Sequence, residues 1–224
     1  MRKRLEDLKR RCEVACEKAG RPLDAVKIVA VSKGQPDQKI IEAYELGVRN
    51  FGENYAPEMS QKMLTLKDQC PEISWHFIGH IQSNKMRAIA AATWIHSLSE
   101  LSHAKLLSEL TTTGQKALMQ INLGEEANRS GVLQSELYER YKQIGELEHI
   151  DLCGLMTIAP LHEGVDPKSW FAKMQALQSE LAQRLGREVP ELSMGMSADF
   201  EDAILYGATW IRVGTLLFGE RRIK

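Results

Sequence analysis

Apolar positions along the chain switch repeatedly between two periods. Leu5, Leu8 and Cys12 recur at helical spacing, and residues 1–19 read as an amphipathic helix that stops at Gly20 and Pro22. The run Lys27-Ile28-Val29-Ala30-Val31-Ser32 follows, short and rich in β-branched residues, and predicts a buried strand over 27–32. The exchange then repeats. Strands are predicted at 48–52, 75–79, 93–98, 116–123, 152–158, 192–196 and 210–213. Helices are predicted at 37–47, 54–69, 83–92, 99–111, 133–148, 167–185 and 198–206. Ser83, Ser99 and Ser197 stand where N-caps are expected, and Asp166-Pro167 is a helix start signal.

Short strands alternating with helices imply parallel βαβ units and an α/β fold. Eight such units favour a closed (β/α)8 barrel, the TIM barrel, over an open doubly wound sheet. No GxGxxG motif follows the first strand, which removes the main support for the open nucleotide-binding sheet. The first helix is extra to the eight units. No linker or low-complexity tract interrupts the pattern, so residues 1–224 are expected to form a single domain.

Composition narrows the function classes. Apolar residues make up 43% and charged residues 26%, and the formal net charge is -1. This balance suits a globular protein and gives no sign of a nucleic-acid partner. The basic start, MRKRLEDLKRRC, is interleaved with Glu6 and Asp7 and reads as a helix face rather than a targeting arm. No apolar run has signal-peptide or membrane-spanning character, so a cytoplasmic protein is expected. Cys12 and Cys16 share a helix face, but no local residues supply the further ligands a metal site needs.

In a (β/α)8 barrel the chemistry sits at the C-terminal ends of the strands. There the sequence offers Ser32-Lys33-Gly34, Gly52-Glu53-Asn54, Gly79-His80, Gly195-Met196-Ser197 and Arg212-Val213-Gly214-Thr215. Barrels frequently hold phosphate with the loops after strands seven and eight. Ser197, Gly214 and Thr215 fit that place, although each is also an ordinary turn or cap residue. Lys33 shares parity with Val29 and Val31, and at the end of a buried strand it must reach the barrel mouth. Such a lysine either snorkels to water or supplies an amine for Schiff-base chemistry. Ring closure sets strand eight beside strand one, so Lys33 and the phosphate site become neighbours. A phosphate held next to an amine that can attack an aldehyde is the layout pyridoxal phosphate needs. Arg212 would then donate to the pyridine nitrogen and, being permanently charged, disfavour its protonation. The other reading of Arg212 is an ion pair with a neighbouring acid.

These residues carry a resemblance. Val29-Ala30-Val31-Ser32-Lys33, Asn50-Phe51-Gly52-Glu53-Asn54-Tyr55, Trp75-His76-Phe77-Ile78-Gly79, Gln82-Ser83-Asn84-Lys85, Gly154-Leu155-Met156, Ser193-Met194-Gly195-Met196-Ser197 and Ile211-Arg212-Val213-Gly214-Thr215 closely resemble the pyridoxal phosphate homeostasis (YggS/PROSC) family, in order and at family spacing from about residue 25 onward. The resemblance implies a barrel like the N-terminal domain of alanine racemase. It implies an internal aldimine on Lys33, phosphate contacts from Ser197, Gly214 and Thr215, an Arg212 contact to the pyridine nitrogen, and Asn54 near the ring. It further implies a protein that binds, buffers and hands over pyridoxal 5'-phosphate, with transient contacts to apo-enzymes. Two positions depart from the family pattern: His80 stands where many members have proline, and Arg129 where some have lysine. A permanently protonated Arg129 is a poor imine former.

The competing expectation is an amino-acid racemase or decarboxylase with weak activity. Racemisation needs a base on each face of the substrate carbon. In alanine racemase the second base comes from a C-terminal β-domain, and little sequence follows Val213 here. A carrier without turnover, and a monomer, is therefore expected. A sugar-phosphate enzyme with a Schiff-base lysine and a non-catalytic interaction protein are the remaining readings.

Overall fold

The computed structural model describes residues 1–160 and 166–220 of the 224-residue chain. Its centre is a closed barrel of eight parallel strands in sequence order. These are β1 (Lys27–Val31), β2 (Asn50–Glu53), β3 (Ser74–Phe77), β4 (Trp94–Leu98), β5 (Gln115–Gln120), β6 (Ile150–Met156), β7 (Glu191–Met196) and β8 (Trp210–Val213). Around them run the helices α1 (Arg2–Lys18), α2 (Asp37–Glu45), α3 (Ala56–Leu66), α4 (Met86–Ile89), α5 (Leu101–Leu110), α6 (Leu137–Gly145), α7 (Pro167–Leu185), α8 (Phe200–Leu205) and α9 (Thr215–Phe218).

Closure rests on β1 and β8, where Val29 lies opposite Arg212 and Ala30 opposite Val213. Strand alternation splits the apolar residues into two layers. One set, including Ala30, Phe51, Ile95, Ala117, Leu155 and Ile211, packs outward against the helices as the larger core. The other, Val29, Trp94, Leu118, Met156 and Trp210, fills the barrel interior. The extra helix α1 turns Leu5, Leu8, Cys12, Ala15 and Cys16 inward and lies against α8 and α9. Burial pushes the Cys12 thiol up to about 12, so Cys12 and Cys16 serve as packing residues. Among the described residues no group of three or more His, Cys, Asp or Glu is placed to hold a metal ion.

The expected helix over 167–185 and strand over 210–213 match the observed bounds. Several expected helices are shorter than read, two of them because they open with 3-10 turns. Residues 83–92 contain a 3-10 turn and only one α-helical turn, and 133–148 begins with a 3-10 turn before α6. The second strand begins at Asn50 rather than residue 48. None of the three serines caps a helix: Gln82, Glu100 and Asp199 occupy the N-cap positions.

Candidate functional site

The C-terminal ends of the strands open into a cavity of ≈ 340 Å³, within the range of small-ligand pockets. Lys33, Asn54, Ser197, Arg212, Gly214 and Thr215 all line it. The six positions come from β1, β2, β7 and β8 or the turns that follow them, and barrel closure alone brings them together.

Lys33 is aimed by a buried ionic cluster behind it. Glu53, with no exposed surface, accepts from Ser32 Oγ at 2.7 Å and from Lys62 Nζ at 2.8 Å. Lys62 also donates to Glu58 Oε1 at 2.6 Å and to the Ser32 carbonyl at 2.8 Å. Glu58 in turn accepts the Gly34 N–H at 2.6 Å. Both residues flanking Lys33 are thus tied to α3, and the turn that presents its amine is fixed. Burial pushes the Glu53 carboxyl up, and Lys62 opposes that shift. Breaking such a buried pair is costlier than never having it, so the cluster specifies the turn's geometry more than it adds stability.

Opposite Lys33, the turn after β7 is held by Asp199, whose Oδ1 accepts the Met196 N–H at 2.6 Å. Burial pushes the Asp199 carboxyl up, while the Met196 N–H and Arg212 pull it down. Asp199 takes the N-cap position, and Ser197 lines the cavity instead. Gly195 is required in this turn: its φ is +87°, and a Cβ would lie 2.5 Å from that of Ala203. Across the mouth, Gly79 lets the backbone of Asn54 come close, since a Cβ there would lie 1.8 Å from the Asn54 carbonyl oxygen. The Asn54 side-chain Oδ1 is buried and has no hydrogen-bond partner among the described residues.

Arg212 is 5% exposed and donates to two neutral acceptors, Ser193 Oγ at 2.7 Å and the Thr157 carbonyl at 2.8 Å. Burial lowers its pKa to about 10, partly offset by Asp199, so it stays cationic at neutral pH. An arginine placed this way offers the rest of its donor fork to the cavity. The two departing positions sit in the loops over the mouth. His80 Nδ1 lies 3.0 Å from Ser130 Oγ. Arg129 pairs with Glu126 at 3.1 Å and donates to the carbonyl of Ile158, which lines the cavity. Reading the sequence did not single out Ser193, Thr157 or Lys62. A serine inside an apolar strand and a lysine at a core position of α3 are the signals that would have found them.

The donor set fits pyridoxal phosphate: an amine, a cation opposite, hydroxyl and backbone donors beside them, and an orphaned amide oxygen. Comparison with known proteins agrees in kind. A family profile described as alanine racemase, N-terminal domain, matches residues 4–222. A pyridoxal phosphate homeostasis protein of Aquifex aeolicus is 38% identical over 98% of this chain and 97% of its own length. The structure of PipY from Synechococcus elongatus PCC7942 with pyridoxal phosphate bound is 35% identical, with a TM-score of 0.84, covering 97% of this chain and 99% of PipY. An alanine racemase from Corynebacterium glutamicum shares the fold, at 22% identity and a TM-score of 0.69, over 96% of this chain and 61% of the racemase. On these matches the chain belongs to the pyridoxal phosphate homeostasis protein family, built on the alanine racemase N-terminal-domain barrel.

Proposed function

We propose that this protein holds pyridoxal 5'-phosphate reversibly at the barrel mouth and serves in its homeostasis as a carrier or buffer. The observation that carries the reading is the single cavity shared by Lys33, Arg212, Ser197, Gly214, Thr215 and Asn54. When bound, the cofactor supplies an aldehyde that condenses reversibly with an amine, with loss of water. Lys33 provides that amine. Ser197 Oγ, Thr215 Oγ1 and the backbone N–H groups around Gly214 would hold the phosphate, because the first N–H groups of a helical turn lack intrahelical acceptors. Arg212 would donate to the ring nitrogen, and Asn54 would line the edge of the ring.

The same geometry argues for holding over turnover. A ring nitrogen facing a permanent cation is a weaker electron sink than one paired with a carboxylate. The protein is proposed to act as a monomeric cytoplasmic unit, handing the cofactor to apo-enzymes. Among the described residues no helix is long and apolar enough to cross a membrane. Titrating purified protein with pyridoxal phosphate tests the reading. Wild type develops the yellow absorbance of a protein-bound Schiff base, and Lys33→Ala does not. A colourless wild type that takes up no cofactor contradicts it. Racemase assays separate carrier from enzyme, since turnover of about one per second would already match a slow enzyme.

A further inference from the structure

Polar side chains run through the barrel interior, where apolar filling is the rule. Arg212 Nη1 donates to Ser193 Oγ at 2.7 Å. Ser193 Oγ is 2.9 Å from His96 Nδ1, and His96 Nε2 is 2.9 Å from His76 Nδ1. His76 Nε2 is 3.2 Å from Asn50 Oδ1 and 3.3 Å from Ser74 Oγ. His76, His96 and Ser193 have no exposed surface, whereas Asn50 and Ser74, at the N-terminal ends of β2 and β3, are half-buried. The chain therefore crosses the barrel from its closed end to the cavity. It is packed among the indoles: His76 stacks parallel to Trp94 with centroids 6.1 Å apart and lies 4.9 Å from the Trp210 ring.

The direction of every hydrogen bond in this chain follows from donor counting. Arginine only donates, so Ser193 Oγ accepts from it. The carbonyl oxygen of Asn50 only accepts, so His76 carries its hydrogen on Nε2 and presents Nδ1 as an acceptor. His96 must then donate from Nε2 and accept at Nδ1, and the Ser193 hydroxyl supplies that hydrogen. The opposite order would leave the Ser193 hydrogen without an acceptor among the described residues, in a fully buried position. Burial lowers the pKa of both imidazoles, that of His76 to about 3, which agrees with two neutral rings.

We infer that Ser193, His96 and His76 form a one-way hydrogen-bond relay that positions Arg212, presenting an oriented oxygen to its guanidinium and fixing which donors face the cavity. The relay is a set of positioning residues, and its role at the ring nitrogen rests on the cofactor reading above. Because each donor points away from Arg212, the aligned dipoles favour the cation at that end. Ser193 is the hinge of the argument, since its hydroxyl serves the arginine and the imidazole at once.

Imidazole nitrogen NMR on ligand-free, 15N-histidine-labelled protein reads the two tautomers directly at neutral pH. The relay requires both His76 and His96 to be neutral with hydrogen on Nε2. Hydrogen on Nδ1 of either ring, or an imidazolium, overturns it. Cofactor affinity then reads the positioning role. Ser193→Ala is expected to weaken binding roughly tenfold, the loss of one charge-assisted bond, and Ser193→Thr to restore it to within about twofold. An alanine variant that binds like wild type overturns the positioning role, as does a threonine variant that folds but binds no better than alanine. If wild type binds no pyridoxal phosphate, the cofactor reading fails, and the tautomers alone decide the relay.

Discussion

The two ends of the barrel are made of the same eight strands and behave as opposites. At the N-terminal end Lys27 Nζ lies over the Trp210 ring at 4.6 Å and pairs with Glu191 at 2.6 Å, while Lys116 covers Trp94 at 5.2 Å. Indoles and neutral imidazoles fill the space between, and cation–π contacts close it. At the C-terminal end the strands finish in lysine, asparagine, serine and arginine around a cavity, with a buried amide oxygen left unpartnered. The lesson is a division of labour along one axis. The closed end is filled by packed rings and lines no ligand cavity, although its Trp210 indole N–H is buried without a hydrogen-bond partner among the described residues. The open end leaves the Asn54 amide oxygen without a hydrogen-bond partner among the described residues, which costs stability unless a ligand satisfies it. Arg212 stands at the border, buried like the first region and facing the cavity like the second.

Acid should break the closed end most severely. Both imidazoles have folded pKa values below the ordinary 6.5, so the unfolded chain binds protons that the folded one refuses. Their stabilising contribution is complete above pH 6.5 and is lost as the pH falls toward 3. The slope is up to about 1.4 kcal/mol per pH unit for each ring while the pH lies between the unfolded and folded pKa values. Denaturant unfolding from pH 7 to 4.5 should show a steeper loss of stability in wild type than in a His76→Asn, His96→Asn double variant, the difference isolating the histidines from the raised Glu53 and Asp199 carboxyls, which act in the opposite direction. Equal slopes would remove the histidines from the account.

Truncating the aromatic filling comes next. Trp210→Ala should cost about 3–5 kcal/mol of stability, measured by chemical denaturation, while the folded variant still binds the cofactor. At the border, Arg212→Met is expected to weaken cofactor binding by about 1.5–3 kcal/mol, while the relief of a desolvated charge offsets part of the cost of leaving Ser193 Oγ and the Thr157 carbonyl without their donor. At the open end Thr215→Val should lower affinity by about 0.5–1.5 kcal/mol and leave the unfolding curve in place. Titration calorimetry beside melting curves would separate these effects. A large stability loss in Thr215→Val would erase the contrast between the two ends.

The open end was legible in the sequence because its residues announce themselves by position. Lys33 ends a β-branched run, Arg212 ends another, and ring closure makes first and last strands neighbours. Period-2 parity was enough to aim Lys33 at the mouth. The closed end was not legible to the same degree. His76 and His96 sit inside Trp75-His76-Phe77 and Ile95-His96-Ser97, which read as buried runs with no indication that the histidines face each other across β3 and β4. Their meeting depends on strand register, where His76 lies opposite Trp94, and register is a property of the folded sheet. The ion cluster behind Lys33 joins Ser32 and Glu53 to Lys62, a helical residue nine positions beyond Glu53, and only packing reveals it. The serine caps failed for a local reason: Gln82, Glu100 and Asp199 take the N-cap positions, and Asp199 holds its turn through the Met196 N–H.

The central claim is that Lys33 carries the cofactor at the open end. Borohydride reduction of protein incubated with pyridoxal phosphate converts any C=N bond to a secondary amine and locks the label onto its lysine. Peptide mass spectrometry then reads the position. The account predicts a stoichiometric phosphopyridoxyl label on Lys33 and none at the barrel mouth of Lys33→Ala. Unlabelled Lys33, or labelling spread evenly over surface lysines, would contradict it.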